Sequence, residues 1–218
     1  MCSTISRRYG LAHTTISKAA WETVAKFENV DKPKNEYLTS EVAQRFITSC
    51  PDDFKNLVQA ALITGCRYGE LCGLKASAFD PRTNTVSLMQ SKTGKTKYIF
   101  LTDDEGAFFA ALCDGKRHDD LLLRSSDGEA WSKSNQQQRM KSVLRAAHIK
   151  RPVRFHDLRH TFASLLIQNG TKIEVIANQL GHNGTAMAIK HYAHLSPDYI
   201  GSTVRANKPS LSYSTASA

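Results

Sequence analysis

A few stretches of this chain carry side chains whose types and spacing suit chemistry on an anion. Phe155-His156-Asp157-Leu158-Arg159-His160-Thr161 sets an imidazole and a guanidinium three residues apart, hence on one face of a helix. Leu180-Gly181-His182 supplies another imidazole, and Lys190-His191-Tyr192-Ala193-His194 supplies a phenol. Nearer the N-terminus, Thr64-Gly65-Cys66-Arg67-Tyr68-Gly69-Glu70 places a second arginine one helical turn before a glutamate. Lys92 lies in the turn Ser91-Lys92-Thr93-Gly94-Lys95-Thr96. A helix that buries Leu158, Phe162, Leu165 and Leu166 while aiming His156 and Arg159 elsewhere presents its cations to an anion. Guanidinium forks match the paired oxygens of a phosphodiester, which makes that the anion of choice.

The composition agrees. Lys and Arg number 29 against 20 Asp and Glu, a net charge of +9, which suits nucleic acid or an anionic membrane surface. With 41% hydrophobic residues in 218, the chain has enough apolar side chains for a core, which excludes wholesale disorder. No apolar run approaches the ~20 residues of a membrane span, and Met1-Cys2-Ser3-Thr4 opens no signal peptide, so the expected location is cytoplasmic. The cysteines at 2, 50, 66, 72 and 113 are odd in number and form no Cys-x-x-Cys pair, as in a protein with reduced thiols. His156 with His160, and His191 with His194, have spacings zinc could use, but no cysteine lies near them; neither metal nor cofactor is expected.

The elements that must position these groups are mostly helical. Residues 14–27 have one apolar stripe, and Asp31-Lys32-Pro33-Lys34-Asn35 reads as a linker. Thr39 or Ser40 caps a helix that runs to about Cys50, where Pro51 stops it. Asp52 opens another, ended by Gly65, and Arg67 begins a short one that ends before Pro81. The period then changes: 85–89 and 97–101 alternate around the Gly-containing turn, as in a β-hairpin. Thr102 caps a helix to about Leu112, Leu121 to Leu123 form a buried piece, and 132–147 form a polar helix carrying Arg139, Lys141 and Arg145. Helices follow over 156–168, from a Thr171 cap to Gly181, and in a short segment that delivers Tyr192. The fold class is therefore mainly α with a small antiparallel β-hairpin (α+β), and the tail from 201 to 218 is Ser/Ala-rich.

Thr-Gly-x-Arg-x-x-Glu at 64–70, Lys92 at a hairpin turn, His-x-x-Arg at 156–159, Leu-Gly-His at 180–182 and Tyr192 before Ala193-His194 occur in one order. Together they resemble the tyrosine recombinases, the phage-integrase family of site-specific DNA recombinases, over about residues 37–200. The resemblance implies a catalytic domain at 36–200, with residues 1–35 the end of a core-binding domain plus linker, as in a chain shortened at its N-terminus. It implies that Arg67 and Arg159 clamp the scissile phosphate and that His182 donates a further hydrogen bond. Lys92 is then the general acid, with Lys95 and Lys97 as rivals, and His156 is the base or hydrogen-bond partner. Tyr192 would attack to form a 3′-phosphotyrosyl link without metal or ATP, and dense positive charge should favour its ionised form. Glu70 supports Arg67, while His160 reads as a buried, hydrogen-bonded packing residue. Lys95, Lys97, Arg139, Lys141 and Arg154 are the expected DNA contacts.

The implied partners are double-stranded recombination sites, further copies of the chain (a tetramer on DNA, a monomer when free) and accessory directionality factors. Two other functions share these features: a catalytically impaired DNA-binding remnant that occupies or regulates recombination sites, and a topoisomerase-like activity that reseals the same strand.

Overall fold

The computed structural model describes residues 37–89, 94, 96–182 and 184–192. The readings made above for 1–35, Lys92, Lys95 and 201–218 lie outside the described residues.

Helix α1 (Ser40–Thr48) starts where the Thr39 hydroxyl accepts the Val42 N–H, and buries Ala43 and Phe46. Helix α2 (Asp52–Thr64) buries Phe54, Leu57, Val58 and Ala61, and Gly65 ends it in the left-handed region at φ 61°. Helix α3 (Tyr68–Cys72) is one turn long, and a 3-10 turn (Ala76–Ala78) follows it. The hairpin is strands β2 (Thr85–Met89) and β3 (Thr96–Phe100), with Val86 opposite Ile99. A further strand, β1 (Phe79–Asp80), pairs antiparallel with β2 and makes the sheet three-stranded. Two residues are too few to show alternation, and the sequence reading carries the short helix on to just before Pro81, whereas α3 stops at Cys72.

Helix α4 (Asp103–Cys113) begins at a Thr102–Glu105 capping box. Leu122 and Leu123 are buried, flanked by isolated bridges from Lys75 to Leu121 and from Arg124 to Ala130. Helix α5 (Lys133–Ala146) is capped by Ser132 and keeps Gln136, Met140 and Val143 inside.

Helix α6 (Phe155–Gln168) packs along α2 and joins two cores. The larger core draws on α1 through α5 and the sheet and takes Phe155 and Leu158 from α6. The smaller one takes Ala163 and Ile167 from α6 with Ile173, Ile176, Ala177 and Leu180 of α7 (Ile173–Leu180) and Ala188 and Tyr192 of α8 (Ala186–Tyr192). The buried stripe of α6 is thus wider than expected: Asp157, Arg159, Thr161 and Ser164 are buried, whereas Phe162, Leu165 and Leu166 are half-buried. Thr161 earns its place by accepting the Leu38 N–H at 2.9 Å and donating to the Asp157 carbonyl. Helix α7 is capped by Lys172, not Thr171, and this residue offers no side-chain acceptor.

Gly65 is held twice over. Its φ is left-handed, and a Cβ there would lie 2.4 Å from the Phe162 ring and 3.0 Å from Leu180. Gly65→Ala should therefore destabilise the fold by about 2–4 kcal/mol, backbone strain and overpacking together. Thermal unfolding would register this as a melting point lower by roughly 5–15 °C.

Candidate active site

Arg159 stands at the centre. Its guanidinium, 3% exposed with the rest of the residue, donates from Nη1 to the Gly65 carbonyl at 2.7 Å and from Nη2 to the Leu180 carbonyl at 2.6 Å. Both acceptors sit at C-terminal ends of helices, α2 and α7, where unsatisfied carbonyls and the helix dipole favour a cation. Gly65 and Gly181, at φ 61° and 66°, turn the chain away and leave those carbonyls available.

The second Nη2 contact is His182 Nε2 at 3.2 Å. A guanidinium only donates, so Nε2 accepts and the ring proton resides on Nδ1. That Nδ1 is buried and finds no hydrogen-bond partner among the described residues. Burial first, then the Arg159 and Arg67 charges, push the His182 imidazole down to about 4, so it is neutral near pH 7. Burial and Arg159 also lower the Arg154-to-Arg159 turn's other imidazole, His156, which sits on the exposed side of α6.

Arg67 precedes α3 and is tied to Glu70: the carboxylate accepts the Arg67 N–H at 2.9 Å and its Nη1 at 2.9 Å. The Arg67 side chain is 49% exposed, so its fork still reaches solvent. Lys97 completes this group, with Nζ 3.6 Å from Glu70 Oε2 and 3.6 Å from Cys66 Sγ. Burial opposes the Glu70 charge, yet Lys97 and the Arg67 contacts hold its carboxyl below the usual range.

Lys97, expected as a DNA contact, is therefore not on the hairpin surface. It is 5% exposed, because β3 alternates and turns Lys97 and Ile99 inward while Thr96, Tyr98 and Phe100 face out.

Tyr192 is 3% exposed, and its hydroxyl lies 2.8 Å from His160 Nδ1. The His160 ring meets His156 edge-on at 4.9 Å between centroids and lies 5.7 Å from His191. Burial pushes the phenol up to about 12, and the nearby Arg159 charge offsets only part of that. The expectation that positive charge would favour phenolate is thus corrected: desolvation outweighs the arginine.

His160, read from sequence as a buried, hydrogen-bonded packing residue, is half-buried and has the phenol as its hydrogen-bond partner. Its distance of four residues from His156 puts both rings on one side of α6, a signal that the sequence reading weighed only for zinc. No group of His, Cys, Asp or Glu among the described residues is arranged to hold a metal ion.

The expected DNA contacts are spread over the surface. Arg139 pairs with Asp53 at 3.2 Å, Lys141 is exposed on α5, and Arg154 caps α6 with its guanidinium 3.1 Å from Asp157. No helix among the described residues is long and apolar enough to cross a membrane.

A mainly helical domain with a three-stranded antiparallel sheet, carrying this ordered set of arginines and histidines beside a tyrosine, is a tyrosine recombinase catalytic domain. The chain belongs to the phage integrase family, whose model matches residues 36–198. It is 30% identical to the integrase of Salmonella phage P22, an alignment covering 78% of this chain and 47% of that one. It is 27% identical to the integrase of Escherichia phage P2, over 81% of this chain and 48% of that one. The chain thus spans about half the length of the curated relatives it matches. Among solved structures, the catalytic domain of bacteriophage HP1 integrase superposes with a TM-score of 0.62 at 27% identity, covering 80% of this chain and 96% of that one. XerA recombinase superposes with a TM-score of 0.64 at 25% identity, over 80% and 66%.

The low His182 value has a measurable consequence. From an ordinary value of 6.5 down to about 4, the unfolded chain takes up a proton that the folded site refuses. Stability should fall as pH is lowered through that window. His182→Gln should flatten this decline relative to the unsubstituted chain, as followed by denaturant unfolding between pH 7 and about 4.

Proposed function

We propose that this chain is the catalytic part of a site-specific DNA recombinase that cuts and rejoins DNA through a 3′-phosphotyrosyl intermediate, without metal or ATP. The observation that carries the reading is that Tyr192 and Arg67 both lie close enough to Arg159 to interact with its charge, while His182 accepts a hydrogen bond from it.

Attack on a phosphodiester builds charge on the non-bridging oxygens, and positive groups already in position stabilise it at no reorganisation cost. Arg159 and Arg67 form the clamp. His182 turns from Arg159 to the phosphate and donates a hydrogen bond there, and His156, close enough to both arginines to feel their charge, shares in binding. Lys92 supplies the proton for the leaving 5′ oxygen. The covalent link keeps the energy of the broken bond, so rejoining needs no nucleotide. The partners are double-stranded recombination sites, with four copies assembling on two duplexes through a Holliday junction and accessory factors setting direction. Lys141, Arg139, Arg154 and Lys95 contact the DNA backbone, and such phosphate contacts make binding steeply salt-dependent.

One observation favours a second reading, DNA binding without cleavage: the Tyr192 phenol is buried and held at about 12. A nicked half-site substrate separates the two. A cleaving enzyme gives a covalent protein–DNA adduct that Tyr192→Phe abolishes and Arg159→Ala slows by about 100–1,000-fold. Binding with no adduct at any DNA concentration would leave only the second reading.

A further inference from the structure

We propose that His160 holds the Tyr192 hydroxyl and takes its proton as the phenol oxygen attacks phosphorus. The inference rests on the cleavage reading above and adds to it the group that activates the nucleophile.

The geometry singles out this ring. His160 Nδ1 lies 2.8 Å from the Tyr192 hydroxyl, within reach for direct proton transfer. The other candidate bases are otherwise engaged. His182 Nε2 accepts from Arg159, the Asp157 carboxylate is bonded to Arg154, and the Glu70 carboxylate is bonded to Arg67 and Lys97. His156 touches the His160 ring edge-on, and its charge state is set chiefly by burial and the arginines. Among the described residues, His156 on its own helix and His191 and Tyr192 on α8 face His160.

Burial keeps the phenol neutral before attack, so in this proposal its proton leaves as attack proceeds. With the hydroxyl donating, Nδ1 carries the lone pair and the His160 proton resides on Nε2. As the new P–O bond forms, the Tyr192 O–H bond breaks and the proton passes to Nδ1, giving an imidazolium. The P–O5′ bond breaks, and the 5′ oxygen takes a proton from a donor on its own side, for which Lys92 is the proposed group. On rejoining, the 5′ hydroxyl attacks, the P–O bond to tyrosine breaks, and His160 returns its proton to the phenolate. The imidazoles of His156 and His191 beside it share the transient charge through the ring cluster less favourably than a carboxylate would, which keeps the proton returnable.

His160→Asn tests this, because the amide oxygen falls near the position of Nδ1 and can accept a hydrogen bond but not a proton. Single-turnover adduct formation on a half-site should slow by about 100-fold. The defect should persist on a substrate with sulfur in place of the bridging 5′ oxygen, since a thiolate leaves without protonation. Lys92→Ala, by contrast, should recover on the sulfur substrate. A His160→Asn chain that cleaves at the unsubstituted rate, or that recovers with sulfur, overturns the assignment. Absence of adduct from the unsubstituted chain overturns the cleavage reading itself, and this inference with it. Nitrogen-15 spectra of the unsubstituted chain give a check independent of any variant's folding: the proposal requires a His160 proton on Nε2, and a proton on Nδ1 in the neutral ring overturns it.

Discussion

A buried guanidinium with no carboxylate partner among the described residues is the constraint on which the rest of this structure depends. Taking an arginine out of water is costly unless its charge is met inside. Arg159 is met by the carbonyls of Gly65 and Leu180 and by a neutral imidazole, none of which carries a negative charge. The nearby carboxylates are spoken for: Glu70 by Arg67 and Lys97, Asp157 by Arg154. Dipoles hold the cation in place while leaving its charge unneutralised, so the site keeps a net attraction for an anion. A direct salt bridge at Arg159 would have stabilised the empty fold and weakened phosphate binding in the same measure.

That uncancelled charge sets the protonation of its neighbours. Arg159 and Arg67 help burial to keep His182 neutral, and a neutral ring can accept from Arg159 in the empty site. Arg159 acts on Tyr192 in the opposite sense from burial and loses. The outcome is a phenol that is a stable neutral residue at rest. Reactivity must then come with the substrate, which brings the phosphate to the arginines, and with a base that takes the proton as it is released.

The sequence shows the elements clearly where local rules govern them. Gly65 and Gly181 end helices as left-handed terminators, Thr102 caps α4, and the alternation at 85–89 and 97–101 marks the hairpin to within a residue of the observed strands. It fails where tertiary contacts decide. The two-residue β1 exists because β2 offers it an edge. Lys97 is drawn inside by Glu70 although lysines on hairpins are ordinarily solvated. His160 is linked to Tyr192 across 32 positions, a pairing that spacing within α6 cannot reveal. The motif residues themselves were visible as types in order. Which imidazole touches the phenol was not.

The division into two cores bears on how the tyrosine can act. Arg67 follows α2 and Lys97 lies in β3, both anchored in the larger core through Leu57, Leu71, Val86 and Ile99. Tyr192 belongs to the smaller core, on a seven-residue helix whose buried residues are Ala188 and Tyr192. Helix α6 joins the two, with Leu158 in one and Ala163 and Ile167 in the other, and Arg159 sits at the junction. Short elements with few buried contacts open at lower free energy than core helices. Adjusting the phenol, with its His160 contact, to a bound phosphate therefore disturbs the contacts of α8 with α6 and α7 in the smaller core, while Arg67 stays fixed by a core that does not have to move. A nucleophile built into the larger core could be reached only by loosening the clamp that makes its attack productive.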